Sequence, residues 1–242
     1  MATPKIRSAN AASTSILAPE LPQTDKLKEG RSYEISLVKS ENLSKKAQDS
    51  IFKLFDENMY DLQKTSSFPY TEQSKREELF DQDARYIILL SPPQSLSSTP
   101  IPIVNGNNKK GKAKEIPMDF DYDNLLGFCG FRFDTEETLS SRDAEVVYCY
   151  EVQLSIKCRG QGLGKRLLDI LEEIGRKRGL DKVMLTCLKS NESALAFYTK
   201  QGYIPDEIDP TRINEQEPVD DDEEEEEEEV DYRILSKSSK RI

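Results

Sequence analysis

A strand-like run, a turn of alternating glycines and an amphipathic helix follow one another between residues 146 and 174, and few folds accommodate that succession. The run 146–154 is rich in β-branched and aromatic residues, while Leu163, Leu167, Leu168, Ile170, Leu171 and Ile174 recur at helical spacing. Between them lies Arg159-Gly160-Gln161-Gly162-Leu163-Gly164-Lys165. Glycines in such a turn let the main chain approach a ligand closely, and the free N–H groups of a helix's first turn present positive potential to phosphate oxygens. The turn is therefore expected to cradle a pyrophosphate.

Two other phosphate motifs fit less well. A Walker loop needs Gly-x-x-x-x-Gly-Lys-Ser/Thr, and here Lys165 is followed by Arg166, which offers magnesium no hydroxyl. A dinucleotide fingerprint needs Gly-x-Gly-x-x-Gly, whereas these glycines alternate as Gly-x-Gly-x-Gly and lie deep in the chain rather than in an opening βαβ unit. Downstream, 180–187 reads as a further strand and 191–203 as a short helix closed by Gly202.

Composition narrows the chemistry. The chain has no histidine, so histidine-dependent triads and His-containing zinc sites are excluded, and acid–base work falls to carboxylates, tyrosines, cysteines, lysines or water. Cys129, Cys149, Cys158 and Cys187 have neither zinc-site spacing nor a secreted context, so reduced thiols and no metal are expected. Cys149 adjoins the presumed site, where packing is a better account of it than nucleophilic attack. No apolar run reaches about 18 residues and the N-terminus lacks a secretory core, which points to an intracellular protein without a membrane span. Much of the net charge of −11 sits in Asp220 to Asp222 and Glu223 to Glu229, ten carboxylates in a row, which disfavours direct nucleic-acid binding and favours basic partners.

The succession resembles the GCN5-related N-acetyltransferase (GNAT) superfamily. Its Arg/Gln-x-x-Gly-x-Gly/Ala signature is matched by Arg159, Gly162 and Gly164, and its Asn-x-x-Ala-x-x-Phe-Tyr-x-x-x-Gly-Tyr by the stretch from Asn191 to Tyr203. Tyr148-Cys149-Tyr150-Glu151-Val152-Gln153-Leu154, Val183-Met184-Leu185-Thr186, Asn58-Met59, Ser74-Lys75-Arg76-Glu77-Glu78 and Tyr232-Arg233-Ile234-Leu235-Ser236 resemble the narrower NatD family, which acetylates the N-terminal α-amine of histones H4 and H2A. The resemblance covers roughly 32–91 and 124–204 plus the last strand.

What it implies is an α/β GNAT fold: a twisted mixed β-sheet splayed between its middle strands and flanked by helices. The implied donor is acetyl-CoA, and the implied acceptors are H4 and H2A N-terminal peptides of the Ser-Gly-Arg-Gly-Lys kind. Val152, Gln153 and Leu154 would offer the strand edge to the pantetheine arm, Arg159, Gly160, Gln161, Gly162, Leu163, Gly164 and Lys165 would hold the pyrophosphate, and Asn191 would reach the pantetheine region. Asp134 and Glu136 would bind the substrate's basic residues, and Phe68, Tyr148, Tyr150, Thr186 and Tyr232 would frame the peptide. Glu151 is the preferred general base and Tyr198 the proton donor to the departing thiolate. Strict alternation puts Tyr150 and Glu151 on opposite sheet faces, so a β-bulge or the splay must re-aim one of them. The family's Trp-Gly-Trp loop is replaced by Phe68-Pro69-Tyr70 in a chain without tryptophan. A monomer in nucleus and cytoplasm completes the expectation; a small-amine acetyltransferase or a noncatalytic histone-binding protein are the alternatives.

Along the chain, 1–28 mixes Ala, Ser, Thr and Pro without periodicity and reads as a disordered N-terminal arm. Residues 29–242 read as a single domain, with a first strand over 32–39, a helix over 43–64, a short helix ending at Leu79 and a strand over 84–90. A flexible insertion is expected over 92–123, carrying a Lys109–Lys114 basic cluster, and an acidic loop over 209–229 before the last strand.

Overall fold

The computed structural model describes residues 2–92, 117–213 and 230–240. Eight strands form one sheet in the order β1-β2-β3-β4-β5-β6-β8-β7. In chain order they are β1 (Thr24–Lys26), β2 (Ser32–Lys39), β3 (Arg85–Leu90), β4 (Leu125–Glu136), β5 (Ala144–Leu154), β6 (Lys182–Leu188), β7 (Ile204–Pro205) and β8 (Tyr232–Ser238). Every pairing is antiparallel except β5 with β6, which are joined through a helix as parallel neighbours require. The helices are α1 (Pro4–Ala11), α2 (Thr14–Leu17), α3 (Lys45–Gln63), α4 (Glu72–Leu79), α5 (Leu163–Lys177), α6 (Glu192–Lys200) and α7 (Pro210–Ile213). This is the mixed α/β architecture that the sequence leads one to expect.

Alternation along β3 shows how the sheet divides two cores. Ile87 and Leu89 face a cluster with Cys129, Phe131, Val147, Cys149 and the apolar stripe of α5. Tyr86, Ile88 and Leu90 face the other side, where Ile51, Leu54 and Phe55 of α3 and Leu79 of α4 cover them. Buried on both faces, β3 reads as a continuous apolar run. Helix α3 starts at Ser44, whose side chain accepts from the Ala47 N–H, and α4 starts in a capping box between Thr71 and Ser74.

The N-terminal residues are not a mobile arm in this structure. Thr3 caps α1, Pro4 takes the first position, and Ile6, Ala9, Ala12 and Leu17 join the core of α5. Buried Arg85 donates to the carbonyls of Ala9 (3.3 Å) and Asn10 (2.5 Å), placing a cation at the C-terminal end of α1. Strand β1 then extends the sheet. Four buried apolar residues among so many small polar ones give no readable period, and they become core only because the sheet face beside them is incomplete without them. The two expected loops need similar amendment. Of the insertion 92–123, residues 93–116 lie outside the described residues, as does the basic cluster; the segment after them is fastened by Met118, which exchanges main-chain hydrogen bonds with Asn42 and Ser44, and by buried Phe120. Of the loop 209–229, residues 214–229 with the ten-carboxylate run lie outside the described residues, whereas fully buried Asp209 accepts from Arg233 at 2.7 Å.

Adjacent residues of α2 test the packing of the N-terminal segment: Leu17 is fully buried and Ile16 is 62% exposed. Leu17→Ala should cost about 2–5 kcal/mol in urea denaturation. Ile16→Ala should stay within about 0.5 kcal/mol of the parent. Equal and small effects would mean that the segment does not pack.

Candidate active site

The site originates in a parting of strands. Parallel pairing of β5 with β6 covers only Val146 with Lys182 through Cys149 with Leu185. Beyond that, 151–154 pair with β4 alone and Thr186, Cys187 and Leu188 pair with β8 alone. The strands diverge, one edge of β5 is left free, and a cleft of about 1330 Å³ occupies the gap. That exceeds the usual range of about 300–1,000 Å³ for small-ligand pockets, leaving room for a long ligand and a second reactant.

At one end, the glycine turn closes on the N-terminus of α5. Gly160 and Gly162 have φ of +78° and +88°, a left-handed conformation that side chains resist. Gly162 is the N-cap of α5 and has no side chain to satisfy the first-turn amides, so these face the cleft mouth as donors. A Cβ at Gly164 would stand 3.0 Å from Phe197 Cζ, so a side chain here would require the Phe197 ring of α6 to give way. Arg159, Gly160, Gly162, Leu163, Gly164 and Lys165 line the cleft; Gln161 does not, and its buried side-chain oxygen has no protein partner. Lys165 pairs with Asp169 one helical turn on, at 2.6 Å. Lys28, for which the sequence carries no positional signal, donates from its ammonium to Gly160 O at 3.0 Å beside the turn. Asn191 lines the cleft while capping α6, its Oδ1 accepting from Ala194 N at 3.3 Å.

Val152, Gln153 and Leu154 line the cleft along the free edge of β5. The expected bulge is present, and it falls at Tyr150. The β4–β5 register passes from Gly130 opposite Glu151 to Phe131 opposite Cys149, leaving Tyr150 as the extra residue. Tyr148, Tyr150 and Glu151 all reach the cleft as a result, with the two tyrosine rings 5.0 Å apart and Arg132 lying 4.5 Å over Tyr150. Tyr148 shares a 2.6 Å hydrogen bond with Thr186 across the parting. Burial raises the Tyr148 pKa to about 12 and that of Tyr150 above its ordinary value, so both are neutral hydroxyls at physiological pH.

The far wall is aromatic and acidic. Phe68, 43% exposed, meets Tyr232 with ring centroids 5.0 Å apart. Their loops are tied together by Asp231, which accepts from Ser67 N at 2.8 Å and from Ser67 Oγ at 2.5 Å; those bonds hold the Asp231 carboxyl below its usual range. Glu78 and Glu136 line the cleft. Burial and the neighbouring Asp134 raise the pKa of Glu136. Asp134 itself is off the wall, because its carboxylate turns back to accept from Thr135 N at 2.8 Å.

At the centre, buried Glu151 accepts from Lys75 at 2.9 Å and from Gln153 at 2.7 Å. Desolvation alone would lower the Lys75 pKa, but Glu151 and Glu78 outweigh it and hold the ammonium above its ordinary value. Lys75 and Asn58 enter the sequence analysis only as members of family-like segments, with no role at the site, although a signal for one exists. Asn58 interrupts the stripe of Ile51, Leu54, Phe55, Met59 and Leu62, and Lys75 shares a face with Leu79, so each is a polar residue on a covered helix face. Tyr198 is also buried beside the cleft, and burial followed by Cys149 and Cys187 raises its pKa far above the ordinary phenol value.

The acetyltransferase (GNAT) family model matches residues 56–203. Among solved structures, an acetyltransferase from Streptococcus agalactiae 2603 shares 14% identity over 85% of this chain and 98% of its own, with a TM-score of 0.50. Arabidopsis thaliana NAA60 in complex with a bisubstrate analogue is 11% identical over 84% of this chain and 97% of its own (TM-score 0.48). The NatC complex bound to Gag peptide and CoA is 17% identical over 72% and 85% (TM-score 0.43). If the turn holds the donor's phosphates, Gly162→Ala should raise the acetyl-CoA Kd about tenfold by calorimetry, since a Cβ in left-handed backbone costs about 1–2 kcal/mol. An unchanged Kd would remove the turn from the binding site. The family match spans more than half of the chain and runs across the parted strands and the glycine turn, and the protein belongs to the GNAT family of acetyl-CoA-dependent acetyltransferases.

Proposed function

We propose that the acceptor is the free N-terminal α-amine of a histone H4- or H2A-like peptide, Ser-Gly-Arg-Gly-Lys, and that the amine attacks the thioester directly. The observation that carries this reading is the far wall of the cleft, where an aromatic gate of Phe68 and Tyr232 stands with Glu78 and Glu136, and Tyr148 and Tyr150 face them from the sheet. An extended chain end with small first residues passes between aromatic rings, and a following arginine finds carboxylates able to take its fork. Glu136, supported by Asp134, is the partner for that charge. The reading also fits a monomer acting in nucleus and cytoplasm, where histones are available.

Chemically, an α-amine has a reference pKa of about 7.7–8.0, so presenting it neutral at pH 7 costs only about 1 kcal/mol. Glu151, the carboxylate nearest the bulge, takes the amine's proton directly or through one water as the new N–C bond forms and the C–S bond breaks. Tyr198, protonated by virtue of its burial, donates to the leaving thiolate. Val152 and Leu154 offer the free strand edge that orients the donor arm.

Three measurements test this. Acetyl transfer to Ser-Gly-Arg-Gly-Lys should be abolished by blocking the peptide's N-terminus; acetyl groups found only on lysine side chains would overturn the reading. Glu151→Gln should lower kcat by about 10²-fold or more with acetyl-CoA affinity intact. Asp134→Lys with Glu136→Lys should raise the peptide KM at least about tenfold while acetylation of an uncharged N-terminal peptide changes little. Equal kinetics on both peptides would argue against arginine recognition.

A further inference from the structure

The group of charges around Glu151 extends beyond the residues that frame the substrate. Lys75 is 5% exposed, and its ammonium divides its hydrogen bonds between Glu151 Oε1 at 2.9 Å and Glu78 Oε1 at 2.7 Å while lying 4.5 Å over the ring of Phe55. The two carboxylates differ in surroundings. The Glu78 side chain is 42% exposed and screened by water, whereas that of Glu151 is 7% exposed, so the attraction to Glu151 is the stronger one. A carboxylate this dry is costly unless paired, and Lys75 supplies the pairing.

The other Glu151 oxygen is fixed just as firmly. Gln153 Nε2 donates to Glu151 Oε2 at 2.7 Å, which turns the Gln153 carbonyl toward Asn58 Nδ2 at 2.9 Å. Asn58 Nδ2 also donates to Leu154 O at 3.2 Å, which leaves Asn58 Oδ1 to accept from Arg159 at 2.7 Å. Both amides are thereby oriented the same way, with N–H toward the anion and C=O toward the cation, so a polarised row of bonds runs from Arg159 at the glycine turn to Glu151. Lys75 closes that row from the opposite side.

We propose that Lys75 is a positioning residue for acetyl transfer: its buried ammonium fixes the Glu151 carboxylate at the bulge, with the Gln153–Asn58–Arg159 row holding the second oxygen. The inference rests on Glu151 being the group that takes the amine's proton. A carboxylate held from both sides keeps one geometry between turnovers, which is what a proton acceptor within hydrogen-bond reach of the nucleophile requires.

The test compares Lys75→Met, Lys75→Arg, Glu151→Gln and the double variant Lys75→Met/Glu151→Gln, each in the full chain. Kinetics use Ser-Gly-Arg-Gly-Lys peptide; acetyl-CoA affinity comes from calorimetry. Lys75→Met is expected to lower kcat about tenfold or more with acetyl-CoA Kd within about twofold of the parent, and Lys75→Arg to recover most of that loss. The double variant should be no slower than Glu151→Gln alone, because Lys75 acts through Glu151. Melting temperature, read without acceptor, guards against a folding artefact: Lys75→Met should melt lower than the parent, and the double variant, with both buried charges gone, should regain much of the difference. Wild-type turnover in Lys75→Met beside a slow Glu151→Gln overturns the Lys75 assignment alone, as do losses that multiply in the double variant. Unchanged turnover in Glu151→Gln removes the underlying reading and this inference with it. Should the peptide not be acetylated at all, the substrate reading fails, and the absence of any recovery of melting temperature in the double variant would still refute the pairing.

Discussion

Parallel strands cannot stay paired where their twist carries them apart, and the end of β5–β6 pairing at Cys149 and Leu185 is the constraint on which the rest of this structure depends. It leaves main-chain donors and acceptors on the last residues of β5 without a strand partner, on the edge that an extended ligand can use. It also sets the distance between the two ends of the cleft. The glycine turn follows directly from the end of β5, and the tyrosines of the same strand lie at the fork. The proposed donor cradle and acceptor pocket thus lie along one strand and the turn that follows it.

The bulge at Tyr150 is the second device, and it works because the parting has relieved β5 of its other neighbour. An extra residue in a strand paired on both edges would disrupt two ladders; here it disturbs only the bonds to β4. Inserting one residue reverses the facing of all that follow, which is how Tyr148 and Glu151, three apart, come to the same cleft. The helices opposite complete the arrangement with polar residues on otherwise apolar faces: Asn58 from α3 and Lys75 from α4 meet Gln153 and Glu151. A buried polar set of this kind is stable only when each member has partners, and these do.

Much of the frame was legible beforehand because it is written in local periods. The helix after the glycine turn, the capped α3 and α4, and the all-apolar β3 announce themselves in a window of a dozen residues, and the two GNAT motifs lie within single strand–turn–helix units. The bulge was legible as a conflict: alternation set Tyr150 and Glu151 apart, and something had to bring them together. What escaped were contacts made across long separations by residues of ordinary appearance. Leu17 and Ile6 look like isolated apolar residues in a polar segment, Lys28 like a solvated charge, and Asp209 like part of an acidic loop; each takes its meaning from a sheet face, a turn or an arginine far away in the chain.

The sequence by itself determined the principal strands and helices from residue 32 onward, that a glycine turn opens a helix, and which family the chain resembles, since all of these rest on backbone preferences and side-chain periods over short stretches. Only the tertiary structure decided that the N-terminal segment completes the core, that the sheet opens where it does, and that Lys75 and the Gln153–Asn58–Arg159 row enclose Glu151. Burial, charge pairing and hydrogen-bond direction belong to groups brought together in space, and no local pattern specifies them.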